Sequence, residues 1–253
     1  MSEAAFSFVG IEGLYIDSEE MPIKTVPKDK RIEFIGDSIT CGYGIEGVCE
    51  IDEFSTSSEN CLKAYAALVA NHFNADFNLI SWSGIGVISN YVEEDVNEPL
   101  DECLMPKLYK YTDLEMSKRL KLNNNEIWNN DKFSPDIVVI NLGTNDTSYT
   151  RGICSRIDKF KEEYYNFINY VRSHNKDATI LCILGVMGQE LCESVEEVVN
   201  KYSYDNNDYN IYYKKLDLQK DEDGIGVNFH PSEKTHNKMA ESIIRTIKQI
   251  KKW

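Results

Sequence analysis

The sequence predicts an α/β fold built on a parallel sheet, and three observations predict it. Short apolar strand candidates recur at 32–35, 77–81, 137–142, 180–184 and 211–216, and helical patterns fall between several of them. The chain has 253 residues, 42% of them hydrophobic, which is enough for one full core. Strands that alternate with helices leave little room for hairpins, so the five run parallel with helices on both faces.

Taken in order, residues 31–44 read RIEFIGDSITCGYG, an apolar strand that runs straight into Gly36, Asp37 and Ser38. A first helix is predicted over 59–71, where Leu62, Tyr65, Ala66 and Val69 fall at helical spacing. The stretch 93–135 is long and polar, with Asn123, Asn124 and Asn125 in a row, and is expected to form irregular or partly helical surface near the active edge. A second helix over 155–174 places Phe160, Tyr164, Phe167, Ile168 and Val171 on one stripe. The last follows Pro231 and carries Met239, Ile243, Ile244 and Ile247; Pro231 and Ser232 suit its start, and Glu233 adds an acidic first turn. Residues 1–30 contain β-like pieces at 6–11 and 14–16 and end in polar VPKDK, so they read as an N-terminal β appendage to a domain spanning 31–253.

Composition excludes several function classes. Forty-two acidic against 27 basic residues give a formal net charge of −15, which repels nucleic acid and anionic membrane surfaces and favours a neutral or weakly polar substrate. Seven cysteines, an odd number without a CxxC pair or finger spacing, argue against a complete disulfide framework and a structural zinc. The longest apolar stretch, 180–187, is far short of a membrane span. The opening MSEAAFSFVG lacks the basic and apolar regions of a secretory signal, so the sequence as written reads as cytoplasmic, or as secreted if it is truncated at its N-terminus.

A serine at the end of a buried strand is where an α/β sheet presents a nucleophile, and its hydroxyl needs a base within hydrogen-bond reach. Of four histidines, His72 and His174 fall near the ends of helical patterns, while His230 and His236 stand in GVNFHPSEKTH after the fifth strand. His230 is the candidate base. His236, in the second turn of the last helix, reads as a residue that packs or supports the loop. Three candidate oxyanion donors follow successive strands: the Ser38 amide, Gly84 in SWSGIGV and the Asn145 side chain in NLGTND. Asp37 reads as a residue that shapes the turn by accepting from nearby backbone N–H groups.

The blocks GDSIT at 36–40, SGIG at 83–86, GTND at 143–146 and HPSEKTH at 230–236 resemble those of the SGNH (GDSL-like) hydrolases. The wider wording, from IEFIGDSITCGYG through SENCLKAYA, MPKLY and PDIVVINLGTND to DGIGVNFHPSEKTH, is similar to carbohydrate esterase family 2. The resemblance implies a three-layer α/β/α, flavodoxin-like fold with Ser38 as nucleophile, His230 as base, and Ser38, Gly84 and Asn145 as oxyanion donors. It also implies removal of acetyl groups from carbohydrate, with no cofactor and no metal; an SGNH lipase or lysophospholipase and an inactive carbohydrate-binding protein are the alternatives. Residues 1–30 would then be the tail or remnant of a β-sandwich domain. Many SGNH enzymes carry an aspartate three residues before the histidine, and Val227 stands there, so the expectation is a Ser–His dyad oriented by backbone carbonyls or an amide, or else a remote acid such as Asp223 or Asp221. Trp82, Trp128, Tyr149 and Phe229 are the aromatic candidates for sugar contact.

Overall fold

The computed structural model describes residues 3, 6 and 10–253. Strand β1 (Arg31–Gly36) leads into a one-turn helix α1 (Ser38–Cys41), then helix α2 (Tyr65–His72) and strand β2 (Asp76–Ser81). The long polar stretch contributes helices α3 (Met105–Leu108) and α4 (Leu114–Arg119). Strand β3 (Ile137–Asn141), helices α5 (Thr144–Thr150) and α6 (Cys154–His174), strand β4 (Thr179–Leu184), helix α7 (Cys192–Asn206), strand β5 (Ile211–Lys215) and helix α8 (Glu233–Ile250) complete the chain.

All five strands pair in parallel in the order β2-β1-β3-β4-β5, the flavodoxin-like order, in which the chain reverses direction across the sheet between β1 and β3. The residues explain which strands lie inside. β3 (IVVIN) and β4 (TILCIL) are buried at every position, as central parallel strands covered on both faces must be, whereas the edge strands β2 (DFNLIS) and β5 (IYYKK) carry polar residues and are largely half-buried. One face packs Ile35, Val138, Ile140 and Ile180 against Phe160, Tyr164 and Phe167 of α6 and Val195 and Val198 of α7. The other packs Ile32, Phe34, Val139 and Leu181 against Tyr65 and Val69 of α2 and Met239, Ile243 and Ile247 of α8.

The five predicted strands and the helices at 155–174 and after Pro231 all form, the last with Ser232 capping it by accepting from Thr235 N–H at 3.2 Å. The helix predicted over 59–71 is shorter. Asn60 Oδ1 accepts from Leu62 N–H at 3.1 Å in an Asx turn, the helix begins only at Tyr65, and Leu62 is left 65% exposed instead of on the buried stripe. The 93–135 stretch is anchored to the back of the sheet through Tyr109, whose hydroxyl donates to buried Glu33 Oε1 at 2.6 Å and accepts from Asn175 Nδ2 at 3.0 Å. The β-like piece expected at 14–16 is not a strand: no residue from 10 to 30 lies in a strand, and Leu14 and Tyr15 stand in solvent. Half of the piece expected at 6–11, residues 7–9, lies outside the described residues. Among the described residues no helix is long and apolar enough to cross a membrane.

Candidate active site

The carboxyl end of the sheet gathers the loops that carry chemistry. β1 ends at Gly36, where a Cβ would meet Thr40 Oγ1 at 2.0 Å, so only glycine lets α1 fold back directly against the strand. Asp37 then caps α1 by accepting from Ile39 N–H at 3.0 Å, as expected of it, and Ser38 becomes the first helical residue. Its N–H precedes any helical acceptor and is taken by no hydrogen bond among the described residues.

His230 arrives on the turn between β5 and α8. Its Nε2 lies 2.8 Å from Ser38 Oγ, although the two residues are 192 positions apart. Nδ1 faces two backbone carbonyls, Val227 O at 3.2 Å and Asn228 O at 3.0 Å. With acceptors on that side only, Nδ1 carries the proton and Nε2 accepts from the serine hydroxyl, a tautomer assigned from its partners. Desolvation holds the imidazole down to about 4, against the two carbonyls that favour its protonated form, so it is neutral at pH 7.

The two candidate remote acids do not reach the imidazole. Asp223 is engaged by Lys234 at 2.7 Å and Lys238 at 2.5 Å, which hold its carboxyl below the usual range, and the ring nitrogens of His230 are occupied by Ser38 and the two carbonyls. Asp221 lies in the same 3-10 turn and is exposed. Val227, in the position where an aspartate was sought, is fully buried with its side chain pressed on the Gly44–Gly47 turn, where Val227 Cγ2 would lie 2.4 Å from a Cβ at Gly47.

The oxyanion candidates lie on the neighbouring loops. Gly84 has φ +80 and open space where a Cβ would be, and its N–H is taken by no hydrogen bond among the described residues. Asn145 Nδ2, on the first turn of α5, donates to Ile85 O at 2.9 Å and makes only a long 3.4 Å contact with Asp37 Oδ2, which leaves its second N–H poorly used. The next residue, Asp146, is fully buried and accepts from three consecutive amides, Val87 (2.9 Å), Ile88 (2.7 Å) and Ser89 (3.2 Å), fastening the Gly84 loop to α5. Burial raises its carboxyl to about 6 despite those donors, and burial likewise raises Asp37 to about 7.

Ser38, Gly84, Asn145 and His230 line one cavity of about 730 Å³, together with Tyr43, Tyr91, Glu93, Met187, Glu190 and Phe229. The serine hydroxyl, a neutral imidazole and unused N–H groups in one cleft are the parts that acyl transfer needs. Of the four aromatic candidates only Phe229 is in it. Trp82 and Trp128 line a separate cavity of about 320 Å³ against the free edge of β2, and the Tyr149 ring lies under the Arg156 guanidinium at 4.3 Å. His236 is fully buried and accepts from Tyr65 N–H at 3.1 Å, capping α2 from α8, so it packs as expected and does not enter the cleft. Sequence reasoning missed Asp146, Tyr43 and the wall residues Tyr91, Glu93 and Glu190. The first two stand inside blocks already singled out; the wall residues sit on loops without a local pattern.

Fold and cleft together define a class, the SGNH-type proteins that present a serine hydroxyl to an imidazole at the carboxyl edge of a flavodoxin-like sheet. Residues 32–243 match the GDSL-like lipase/acylhydrolase family, and the chain belongs to it. It is 36% identical to the cellulase/esterase CelE of Acetivibrio thermocellus over all of its own length, and 28% identical over 94% of its length to an acetylxylan esterase / glucomannan deacetylase of Cellvibrio japonicus. It spans only 29% and 64% of those relatives. A family two carbohydrate esterase from Clostridium thermocellum, solved in complex with cellohexaose, superposes with a TM-score of 0.78 at 37% identity, covering 91% of this chain and 67% of that one.

Proposed function

We propose that this chain is a serine esterase that removes acetyl groups from O-acetylated carbohydrate. The observation that carries the reading is the 2.8 Å contact between Ser38 Oγ and a neutral His230 Nε2, in a cleft that also holds Gly84 and Asn145. In this mechanism His230 takes the Ser38 proton as the hydroxyl attacks the acetyl carbonyl. The amides of Ser38 and Gly84 and the Asn145 side chain receive the oxyanion, each donor lowering the barrier by about 3 kcal/mol. His230 then protonates the departing sugar oxygen, and water repeats the sequence on the acetyl-enzyme to release acetate.

The substrate class is supported by the named activities of the relatives and by the cleft itself. Ser148, Thr147, Tyr91, Glu93, Glu190 and Asn228 give the walls many hydrogen-bonding groups, which suit sugar hydroxyls better than a long acyl chain. Phe229, 61% exposed at the mouth beside His230, supports the same reading, because an exposed aromatic face suits stacking on a sugar ring. The test is acetate release from acetylated xylan, acetylated glucomannan and simple acetyl sugars, beside 4-nitrophenyl esters of two and of twelve carbons. The reading expects acetyl carbohydrate and the short ester to be cleaved and Ser38→Ala to abolish both; preference for the long ester, or undiminished turnover by Ser38→Ala, would overturn it.

A further inference from the structure

The turn that carries His230 contains two consecutive residues that L-amino acids seldom place there. Asn228 has φ +51 and Phe229 φ +61. Asparagine tolerates the left-handed region, but a bulky aromatic in it is an outlier, and such conformations persist only where the surroundings over-determine them. Two side chains from elsewhere in the chain do so. Gln219 Nε2 donates to Phe229 O at 2.7 Å, and Asn228 Nδ2 donates to the Tyr43 hydroxyl at 3.0 Å. Tyr43 sits one turn beyond Ser38, where its ring lies 4.4 Å from the imidazole on one side and stacks on Phe54 at 3.8 Å on the other. One phenol therefore touches the ring of His230 and also holds the residue whose carbonyl orients that ring.

We propose that Tyr43 and Gln219 are positioning residues that hold the 227–230 turn in its left-handed form, so that two backbone carbonyls orient His230 in place of a carboxylate. This rests on the esterase reading above. A carbonyl carries only a partial charge, so it fixes the Nδ1–H tautomer and stabilises the imidazolium only while it points directly at Nδ1. An ionised aspartate tolerates more misalignment. Around the imidazole the titratable groups are the Tyr43 phenol against its face, Glu93 and Glu190 in the walls of the same cleft, Asp37 behind Ser38, and buried His236.

The experiment compares Tyr43→Phe, Gln219→Met, Asn228→Gly and the double variant Tyr43→Phe/Asn228→Gly with the wild type. NMR of ¹⁵N-labelled histidine follows the Nδ1–H resonance and the His230 titration, and 4-nitrophenyl acetate kinetics give kcat and KM. Tyr43→Phe and Gln219→Met are expected to weaken the hydrogen-bonded Nδ1–H signal and move the His230 titration to lower pH. They should cut kcat about 10-fold with KM little changed, far short of the roughly 10⁴-fold that a lost triad acid costs. In the Asn228→Gly background, which adopts φ > 0 freely and lacks the amide, Tyr43→Phe should add less than about twofold, because the pair acts as one unit. An unchanged Nδ1–H signal and titration in both single variants would overturn the proposal, as would a full additional loss in the double variant. A wild type without esterase activity would instead count against the functional reading, and the NMR arm would still decide the clamp.

Discussion

The two sides of the cleft are held by opposite means. On the side of the proposed oxyanion donors, a buried carboxylate, Asp146, gathers three consecutive amides and ties the Gly84 loop to the helix that carries Asn145. On the imidazole side no carboxylate takes part; His230 is aimed by two carbonyls on a turn with left-handed residues, themselves held by Gln219 and Tyr43. The difference suits what the proposed mechanism asks of each side. Donors aimed at a transient negative charge gain from being fixed beforehand, and a charge-assisted bond is about twice as strong as a neutral one. The base must instead be neutral at rest and cationic only briefly, and desolvation with neutral acceptors keeps it so.

If this contrast is right, breaking the charged side should hurt most. Asp146→Ala removes the acceptor of three buried amides, and kcat/KM for 4-nitrophenyl acetate should fall by about 10²-fold or more as the Gly84 donor drifts, with a loss of stability of several kcal/mol visible as a lower Tm. Near-normal kinetics in this variant would mean that the loop holds itself. A smaller effect sharpens the neutral side. His230 must be unprotonated to act as base and its value lies below the ordinary 6.5, so NMR of ¹⁵N-labelled histidine should show its imidazole titrating near about 4, while any fall of kcat/KM near pH 6 belongs to Asp146, whose carboxyl burial raises to about 6. A His230 titration at 6 to 7 would point to a carboxylate supporting the imidazolium. The smallest effect belongs to Asp223→Ala. Its carboxylate is engaged by Lys234 and Lys238, so the variant should retain kcat within about threefold, where loss of a working triad acid would cost roughly 10⁴-fold.

The sheet was legible in the sequence because a parallel strand buried on both faces must be a continuous apolar run, and ILCIL or IVVI can hardly be anything else in a chain of this size. Ser38, Gly84, Asn145 and His230 were legible for a related reason: each follows a strand or stands just before the last helix, so finding the strands located the loops. The lack of a carboxylate partner for His230 was also readable from Val227, whose side chain the structure packs against the Gly44–Gly47 turn. What could not be read was whatever depends on a long-range contact. Gln219 reaches Phe229 across a loop, Tyr43 meets Asn228 over 185 positions, and Trp82 and Trp128 face the free edge of β2 instead of the cleft. Backbone sign is similarly hidden, since nothing in the letters VNFH announces two left-handed residues, one of them a phenylalanine.

In the proposed reaction Ser38 attacks the acyl group with His230 as its base. The direct measurement is acid-quenched mass spectrometry of the wild type during turnover of 4-nitrophenyl acetate, with peptide mapping of the trapped acetyl-enzyme. The account predicts an acetyl group on the peptide containing Ser38, absent in Ser38→Ala and slow to form in His230→Ala. Continued turnover with the acetyl group on a different residue, or with none trapped and Ser38→Ala fully active, would contradict it.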